Sequence, residues 1–161
     1  MKICFKPIGY VETPYSDEEV KSSFYGVSGR VVVSKEYAPG LKGLAGFSHI
    51  ILIAYLHKVT EEQRKVLVVR PRRLVRLGLK LEELPEIGVF ASDSPHRPNP
   101  IALSIVRLEG VRGNILEVSG LDLFNGTPVL DIKPYTAGRR VEKPIYPDWY
   151  VELYRRVGVE V

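Results

Sequence analysis

Residues 101–120, IALSIVRLEGVRGNILEVSG, contain two runs rich in Val and Ile that turn-forming residues separate. Such runs favour β-strands, and turn residues divide several other runs of the chain in the same way. The strand candidates are Lys6 to Glu12, Gly29 to Lys35, Ser48 to His57, Lys65 to Val69, Ile87 to Ala91, Ile101 to Val111, Ile115 to Gly120 and Pro128 to Ile132. The gaps hold mostly Gly and Pro instead of crossover helices, which argues against a parallel α/β sheet. The sequence therefore predicts a mainly β protein, an antiparallel barrel or sandwich with long loops.

One helix is expected near the C-terminal end of the chain. Asp148 is a suitable N-cap, and Gly158 follows two arginines as a helix stop. Apolar and aromatic residues recur at helical spacing on one face, which is expected to pack on the sheet: Tyr150, Leu153, Tyr154 and Val157. Two further short helical turns are indicated at Thr60 to Gln63, which has a capping-box form, and at Lys80 to Leu84.

Length and composition limit the class of protein. A chain of 161 residues suits a single domain, which we place at residues 1–161. Hydrophobic residues make up 45% and charged residues 26%, values that exclude a disordered tail, a collagen-like fibre and a disulfide scaffold. The longest apolar run, Ile50 to Leu56, is too short for a membrane helix, and no signal-peptide pattern is visible. We expect a cytoplasmic protein that does not contact a membrane.

Charge and cofactor signatures narrow the function. The net charge of +4 allows a polyanionic partner. Basic residues offer candidate phosphate contacts, with a solvated surface as the alternative: the run Arg70, Arg72, Arg73, Arg76 and Lys80, followed later by Arg139, Arg140 and Lys143, with the four arginines of the run as the predicted contacts. One cysteine and three histidines are too few for an ordinary zinc site, so no metal is expected. The glycine spacing matches neither a dinucleotide-binding loop nor a P-loop.

Residues 91–104, ASDSPHRPNPIALS, form the first candidate site. Three prolines fix the backbone of this loop and keep it out of a central strand. Between the prolines lie a titratable ring, a bidentate cation and an amide, namely His96, Arg97 and Asn99. A stiff loop that presents these groups suits a binding or catalytic surface. The alternative is a Pro-rich connector whose Arg and Asn side chains satisfy neighbouring carbonyls.

Residues 122–135, DLFNGTPVLDIKPY, form the second candidate site. Asn125 and Gly126 supply a tight turn between two strands. Asp131 alternates with apolar neighbours, so it is expected to face inward, where a polar side chain indicates a site. The alternative is an ordinary hairpin with solvated outer residues.

These two segments, together with PIGYVETPY at residues 7–15 and GLAGFSHIILIAYLH at residues 43–57, resemble the TsaA-like, or TrmO, family of tRNA adenosine methyltransferases. The resemblance runs through nearly the whole chain in the same order. It implies a small β-barrel that binds S-adenosylmethionine and works as a homodimer with cofactor sites near the subunit interface. It also implies methylation of N6 of threonylcarbamoyl-adenosine, beside the anticodon of tRNA.

The resemblance carries over to individual residues of this chain. The cofactor would contact His57, Lys58, Asp93, Leu103, Asp122, Leu123, Phe124 and Asn125. The catalytic set would be His96, Arg97, Asn99, Asp131 and Tyr135. Asp93 stands where family members commonly have Arg, Ala102 and Asn125 replace a common Gly and Asp, and the usual Pro-Arg-Gln near Phe24 is missing. These departures concern the acceptor more than the fold.

Several alternatives stay open at the level of sequence. The acceptor nitrogen needs a base, and the candidates are His57, His96, Asp131 and Tyr135, with His favoured by its pKa of about 6.5. Arg97 could grip a phosphate, the threonyl carboxylate of the acceptor or the carboxylate of the cofactor. The chain could also be a non-catalytic RNA-binding barrel, or a methyltransferase of this fold with another acceptor.

Overall fold

Six of the runs predicted as strands form a closed barrel in the computed structural model, which describes all residues from Met1 to Val161. The strands of the chain are β1 (Gly9–Glu12), β2 (Val27–Val33), β3 (His49–Tyr55), β4 (Val68–Val69), β5 (Ile87–Gly88), β6 (Ile101–Arg112), β7 (Ile115–Leu121) and β8 (Pro128–Pro134). Six of them close in the order β1-β2-β7-β6-β3-β8, and every pair is antiparallel. The predicted mainly β class is confirmed, and each predicted strand is present, although several are shorter than expected.

The core of the barrel is built from the alternating inward positions of its strands. Val11, Val31, Ile50, Leu52 and Leu116 have no exposed surface and belong to one cluster. Because alternate residues of a strand point to opposite faces, this pattern is the direct result of period-2 hydrophobicity. Closure removes the unpaired edges that an open sheet would leave.

Three short α-helices and several 3₁₀ segments connect the strands. The α-helices are α1 (Asp17–Ser22), α2 (Glu61–Arg64) and α3 (Asp148–Arg156), and the 3₁₀ segments are Lys35–Leu41, Arg72–Leu77, Leu81–Glu83, Val89–Ala91 and Ala137–Arg139. The capping box at Thr60 and the helical turn near Lys80 are confirmed. The sequence patterns did not predict α1, which begins with a capping box between Ser16 and Glu19. None of the helices combines the length and apolar character that crossing a membrane requires.

The chain divides into two compact units. The barrel unit comprises Met1–Lys58 and Pro100–Gly138, and the second unit comprises Val59–Asn99 and Arg139–Val161. The placement of all 161 residues in a single domain stays a prediction.

The second unit has its own small core. Leu74, Leu79, Leu84 and Leu153 form its buried cluster. The apolar face of α3 therefore packs against residues of the 3₁₀ region and not on the sheet, which corrects the expectation from the sequence. Asp148 is the first helical residue and not the N-cap, a position that Pro147 occupies without a side-chain hydrogen bond. The stop at Gly158 is confirmed: its φ is +72°, and its N–H donates to the carbonyl of Arg155.

Candidate functional site

In the barrel unit, Lys58 joins helix α1 to the turn between β7 and β8. Its Nζ lies 2.5 Å from Oδ2 of Asp17 and 5.3 Å from the centroid of the Phe124 ring. Lys21, one turn further along α1, places its own Nζ 5.5 Å from the same centroid. An aromatic face attracts cations through its quadrupole, so both ammonium groups lie near the Phe124 ring, and that of Lys58 also pairs with Asp17. We call this group the charged cluster; it consists of Lys58, Asp17, Lys21 and Phe124.

Asp122 is held in place by a buried hydroxyl. Ser104 faces the inside of the barrel from β6, is 5% exposed, and donates from Oγ to Oδ1 of Asp122 at 2.5 Å. Asp122 directly follows the last residue of β7 and is itself exposed. The hydroxyl of Ser104 therefore orients the carboxylate of Asp122, and the residue is still exposed to solvent, as a ligand contact requires.

Leu103 lies on the opposite side of the barrel wall from Ser104. Neighbouring residues of a strand point to opposite faces, and Leu103 is 63% exposed while Ser104 is buried. Ile105, two residues further along β6, is 50% exposed on the same outer face. Leu103 therefore points away from Ser104, the residue whose hydroxyl holds Asp122.

Two side chains of the turn from Asp122 to Asn125 stabilise the barrel itself. Leu123 is 2% exposed and belongs to the barrel core, so a ligand could reach only its backbone. Asn125 Oδ1 accepts a hydrogen bond from the N–H of Thr13 at 3.1 Å, which fastens the end of β1 to this turn. Gly126 completes the turn with φ +79°, in agreement with the predicted Asn-Gly pair.

His57 is exposed at the end of the stretch that follows β3, next to Lys58. Partial burial of its ring lowers the pKa of His57 below 6.5, the positive charge of Lys58 lowers it further, and Asp17 acts in the opposite direction. The imidazole is consequently neutral at physiological pH, the form that can accept a proton.

Asp131 faces outward, which corrects the inward position expected from the sequence. A β-bulge interrupts the pairing of β3 with β8, since Ile53 pairs with Asp131 but Ala54 pairs with Val129. The extra residue of β8 reverses the side-chain parity of the strand. Asp131 therefore forms an ion pair with Lys133 at 2.7 Å on the outer face, and its side chain is 48% exposed.

Tyr135 follows the last residue of β8 and is half-buried. Its backbone N–H donates to the carbonyl of His49 at 3.1 Å, which continues the ladder between β3 and β8 by one residue. Tyr135 therefore lies at the C-terminal end of β8, whereas the turn that contains Asp122 precedes the N-terminal end of the same strand.

In the second unit, Arg97 shapes the proline-rich loop. Its Nη2 donates to the carbonyls of Val89 at 2.6 Å and Ser92 at 2.9 Å. Charged donors make stronger hydrogen bonds than neutral ones, so Arg97 fixes the loop's own backbone. This is the role that the connector alternative assigned to it.

Further hydrogen bonds fix the rest of this loop. The N–H of His96 donates to Oγ of Ser94, and the carbonyl of Pro98 accepts from Nε of Arg64 at 3.0 Å. His96 is half-buried and Asn99 is exposed. Side-chain partners thus replace the ladder bonds that the prolines cannot make.

Asp93 is exposed in the second unit and interacts with an aromatic residue of α3. Burial, hydrogen bonding with Tyr154 and the nearby negative charge of Asp93 raise the pKa of Tyr150 to about 12. Tyr150 therefore keeps its proton throughout the physiological range. Asp93, His96, Arg97 and Asn99 all belong to this unit, and the other predicted site residues belong to the barrel unit.

Three residues of the barrel site were not predicted from the sequence: Asp17, Lys21 and Ser104. Ser104 had a visible signal, because it is the polar residue in a row of inward apolar positions on β6. Asp17 and Lys21 became visible only with α1, whose capping box was present in the sequence. Their contact with Phe124 depends on tertiary structure and has no local signal.

One open cleft of the barrel unit lies apart from the predicted residues. It has a volume of about 660 Å³ and is lined by Tyr15, Glu19, Ser22, Ser23, Tyr25, Gly26, Val27, Ser28, Ser119 and Gly120. Its walls are rich in hydroxyl groups, and none of the predicted site residues contributes to them. No group of three or more His, Cys, Asp or Glu side chains is arranged to hold a metal ion.

Comparison with known proteins gives concordant matches. A profile of the family described as tRNA-methyltransferase O N-terminal domain matches residues 11–139. A probable S-adenosyl-L-methionine-binding protein of Pyrococcus abyssi is 38% identical over 153 residues, which cover 92% of this chain and 77% of that protein. The human tRNA (adenine(37)-N6)-methyltransferase is 35% identical over 142 residues, which cover 82% of this chain and 30% of the human protein.

Solved structures agree with these matches. The crystal structure of TrmO from Pseudomonas aeruginosa aligns with a TM-score of 0.63 at 29% identity and covers 90% of this chain. The match covers 61% of the Pseudomonas chain, so this chain spans about three fifths of the length of that solved structure. The profile covers most of the sequence, and the barrel has the fold that the sequence resemblance implied. The chain belongs to the tRNA-methyltransferase O N-terminal domain family.

Proposed function

We propose that the chain transfers a methyl group from S-adenosylmethionine to N6 of threonylcarbamoyl-adenosine beside the anticodon of a tRNA. The observation that carries this proposal is the charged cluster with the adjacent Asp122: an ammonium, an aromatic face and an oriented carboxylate at one end of the barrel. The names of the relatives, which include S-adenosyl-L-methionine-binding proteins and tRNA methyltransferases, support the same activity.

The residues of this end of the barrel fit the chemistry of S-adenosylmethionine. The cofactor has a carboxylate, an ammonium, a sulfonium, ribose hydroxyls and an adenine ring. Lys58 donates to Asp17 but has three N–H donors, so it still offers a cation for the carboxylate, and Asp122 offers acceptors for hydroxyl or ammonium groups. Phe124 already lies near two ammonium groups, so the chemistry of its ring suits a cation such as the sulfonium. The carboxylate, the sulfonium and a hydroxyl or ammonium group of the cofactor therefore have partners of matching chemistry in these three residues.

The bound cofactor supplies an electrophilic methyl group, whose bond to sulfur breaks as the bond from the acceptor nitrogen to carbon forms. The lone pair of that nitrogen is delocalised, so it needs a group that removes its proton. His57 suits this role, because its lowered pKa keeps the ring neutral and ready to accept the proton. The carboxylate of Asp131 is already engaged by Lys133, which makes it a weaker candidate.

The proline-rich loop is proposed to position the acceptor. His96 and Asn99 present polar groups from a backbone that Arg97 fixes through two carbonyls. A pre-organised surface of this kind lowers the entropy cost of aligning two reactants. The target adenosine lies in a single-stranded loop, so it can be splayed into a site without breaking a base pair.

We propose that the chain forms a homodimer whose interface includes the outer face of β6. Leu103 and Ile105 are exposed apolar residues on that face, and burying apolar surface is the main driving force of such contacts. Leu103 is also a carried-over cofactor contact that points away from Ser104, the partner of Asp122, which fits a site completed by a second subunit. Light scattering of the wild type and of Leu103→Asp tests this: a dimer that becomes a monomer supports the placement, and an unchanged mass refutes it.

The decisive experiment measures cofactor binding and methyl transfer on the same variants. Lys58→Ala should weaken S-adenosylmethionine binding about tenfold or more in calorimetry, because a charge-assisted contact contributes about 1.5–3 kcal/mol. Lys6→Ala is the matched control, since Lys6 also pairs with a carboxylate, Glu36 at 2.9 Å, and lies 5.5 Å from the ring centroid of Tyr37. Equal affinity of the two variants would remove the charged cluster from the cofactor site.

Single-turnover methylation with labelled cofactor then separates the roles of the loop. Arg97→Ala should slow methylation of threonylcarbamoyl-tRNA while cofactor affinity is kept, and Arg97→Lys should restore the rate only in part, because Lys cannot hold two carbonyls with one planar group. Unmodified tRNA serves as the control acceptor. A folded wild type that binds the cofactor but never exceeds background on either tRNA would refute the proposed acceptor.

A further inference from the structure

Three tyrosines of the second unit form a stacked column. The rings of Tyr150 and Tyr154 have centroids 4.3 Å apart at an interplanar angle of 24°, and those of Tyr146 and Tyr150 are 5.2 Å apart at 15°. The residues are four apart in sequence, and Tyr150 and Tyr154 belong to α3, where this spacing places side chains on one face. Near-parallel rings at these distances have the offset-stacked geometry that aromatic groups prefer.

The column is anchored at one end and open at the other. Tyr154 packs against the leucine cluster of the second unit, and Trp149 meets Tyr150 edge-on at 5.6 Å. Tyr146 is 37% exposed and lies in a stretch, residues 136–148, in which every residue is exposed. The stacked rings of Tyr150 and Tyr154 therefore form a rigid base for the partly exposed ring of Tyr146.

The chain next to the open end is basic. In residues 139–146, Arg139, Arg140 and Lys143 outnumber the single acid, Glu142. Cations beside an exposed aromatic face are the combination that single-stranded nucleic acids require, because phosphates need counter-charge and every base has a π-face. The column lies outside residues 11–139, the part of the chain that the family profile matches.

We infer that Tyr146 stacks on an unpaired base of the RNA acceptor, while Arg139, Arg140 and Lys143 contact the backbone phosphates. This rests on the proposed function for the identity of the RNA, a tRNA whose anticodon loop offers unpaired bases. The surface would add affinity for the acceptor and would take no part in cofactor binding or in the transfer of the methyl group.

The test uses the full chain and an RNA hairpin with an unpaired loop, beside the fully paired duplex of the same stem. Tyr146→Ala should weaken hairpin binding about tenfold, since one base stacked on an aromatic ring contributes about 1–3 kcal/mol. Tyr146→Phe keeps the ring and should bind within about twofold of the wild type on the same scale. The Ala variant should leave duplex binding and S-adenosylmethionine affinity unchanged.

Two further readouts separate stacking from charge and from misfolding. Replacing Arg139, Arg140 and Lys143 by Gln should reduce the salt dependence of hairpin binding by about 0.7 log units for each phosphate that the variant no longer neutralises. Trp149, the single tryptophan of the chain, lies against the column and reports its integrity. Its emission in the free Tyr146→Ala variant should match that of the wild type, and hairpin binding should quench it less in that variant.

The possible outcomes are distinct. Hairpin affinity that is equal in the wild type and Tyr146→Ala overturns the inference, and so does a wild type that binds the cofactor but no RNA. A dimer that Tyr146→Ala converts to a monomer would assign the column to a protein contact and also overturn it. If the wild type binds no S-adenosylmethionine yet loses hairpin binding through Tyr146→Ala, the inference stands and the proposed function fails.

Discussion

Each of the two units of the chain is stabilised internally by a different kind of interaction. In the barrel unit, six strands pair in a closed circle around a core of fully buried Val, Ile and Leu side chains. The strands of the second unit, β4 and β5, have two residues each, and its buried core is four leucines. There, arginine side chains supplement the short ladder of β4 and β5: Arg70 donates to the carbonyl of Leu84, and Arg97 donates to that of Val89.

This difference indicates how each unit serves the site. Backbone ladders are insensitive to most side-chain substitutions, so the barrel can vary its surface while it keeps the Asp122 turn in place. A loop held by a few side-chain hydrogen bonds, among them those of Arg97 and Arg64, depends on those few residues. We therefore expect substitutions in the barrel to act on global stability, and substitutions in the second unit to act locally on the loop and on RNA binding.

The largest expected effect is the loss of free energy of unfolding when a leucine is removed from either of the two cores. Leu116→Ala in the barrel and Leu74→Ala in the second unit each remove a side chain that is at most 2% exposed, and such changes cost about 2–5 kcal/mol. Leu116 should lie at the upper end, because a closed barrel cannot relax around the cavity, and Leu74 at the lower end. Urea denaturation measures both free energies of unfolding.

Hydrogen exchange decides whether the units respond separately. Leu74→Ala should speed exchange in residues 59–99 and 139–161 and leave the barrel amides protected. Leu116→Ala should speed exchange throughout the barrel. Uniform acceleration by both substitutions would mean that the units unfold as one and would break the comparison.

The barrel was predictable because its signal is local. Alternating apolar residues and turn formers locate all eight strands, and the resemblance to a known family supplied the expectation of closure. The partner of α3 was not predictable, because Leu74 lies in a 3₁₀ segment and Leu79 and Leu84 outside any regular element, so their spacing has no helical or strand period. The orientation of Asp131 was wrong because one bulged residue of β8 reverses every side chain that follows it.

The candidate site was predictable in residue type more than in arrangement. His57, Lys58 and the Asp122 turn came from the family resemblance, and the structure adds the contacts that bring Lys58 to Phe124. Those contacts require α1, which was not predicted despite its capping box at Ser16. Arg97 was identified as a candidate site residue, but its two hydrogen bonds to loop carbonyls depend on the 3₁₀ segment that begins at Val89 and the bend at Ser92, which sequence periodicity does not describe.

A smaller effect sharpens the account of the basic run in the second unit. All four arginines were predicted to contact phosphates, but Arg70 is committed to the fold: it donates to Leu84 at 2.6 Å and pairs with Glu86 at 3.5 Å. Arg70→Ala should therefore cost about 1–2 kcal/mol of stability, less than a buried charged hydrogen bond because the side chain is partly exposed. Arg72 is exposed, and Arg72→Ala should leave stability unchanged.

Salt titration of tRNA binding separates these two arginines. If Arg72 contacts a phosphate, Arg72→Ala should reduce the slope of log affinity against log salt by about 0.7–0.9. Arg70→Ala should leave that slope unchanged under conditions in which the variant is folded. A reduced slope from Arg70→Ala in the folded protein would return Arg70 to the binding surface, and an unchanged slope from Arg72→Ala would make Arg72 part of a solvated face.

The smallest expected effect is electrostatic and concerns the barrel unit alone. Burial and the charge of Lys58 lower the pKa of His57 below 6.5, while Asp17 partly offsets them. Because the folded pKa is lowered, the contribution of His57 to stability is complete above pH 6.5 and is lost as the pH falls through the folded pKa. NMR titration of the imidazole should show Lys58→Met raising this pKa toward 6.5 without reaching it, since burial remains, and Asp17→Asn lowering it further. If His57 is the base, methylation by Asp17→Asn should reach its plateau at a lower pH than in the wild type. Shifts of the opposite sign would mean that the charges of α1 and Lys58 do not act on His57 as one cluster.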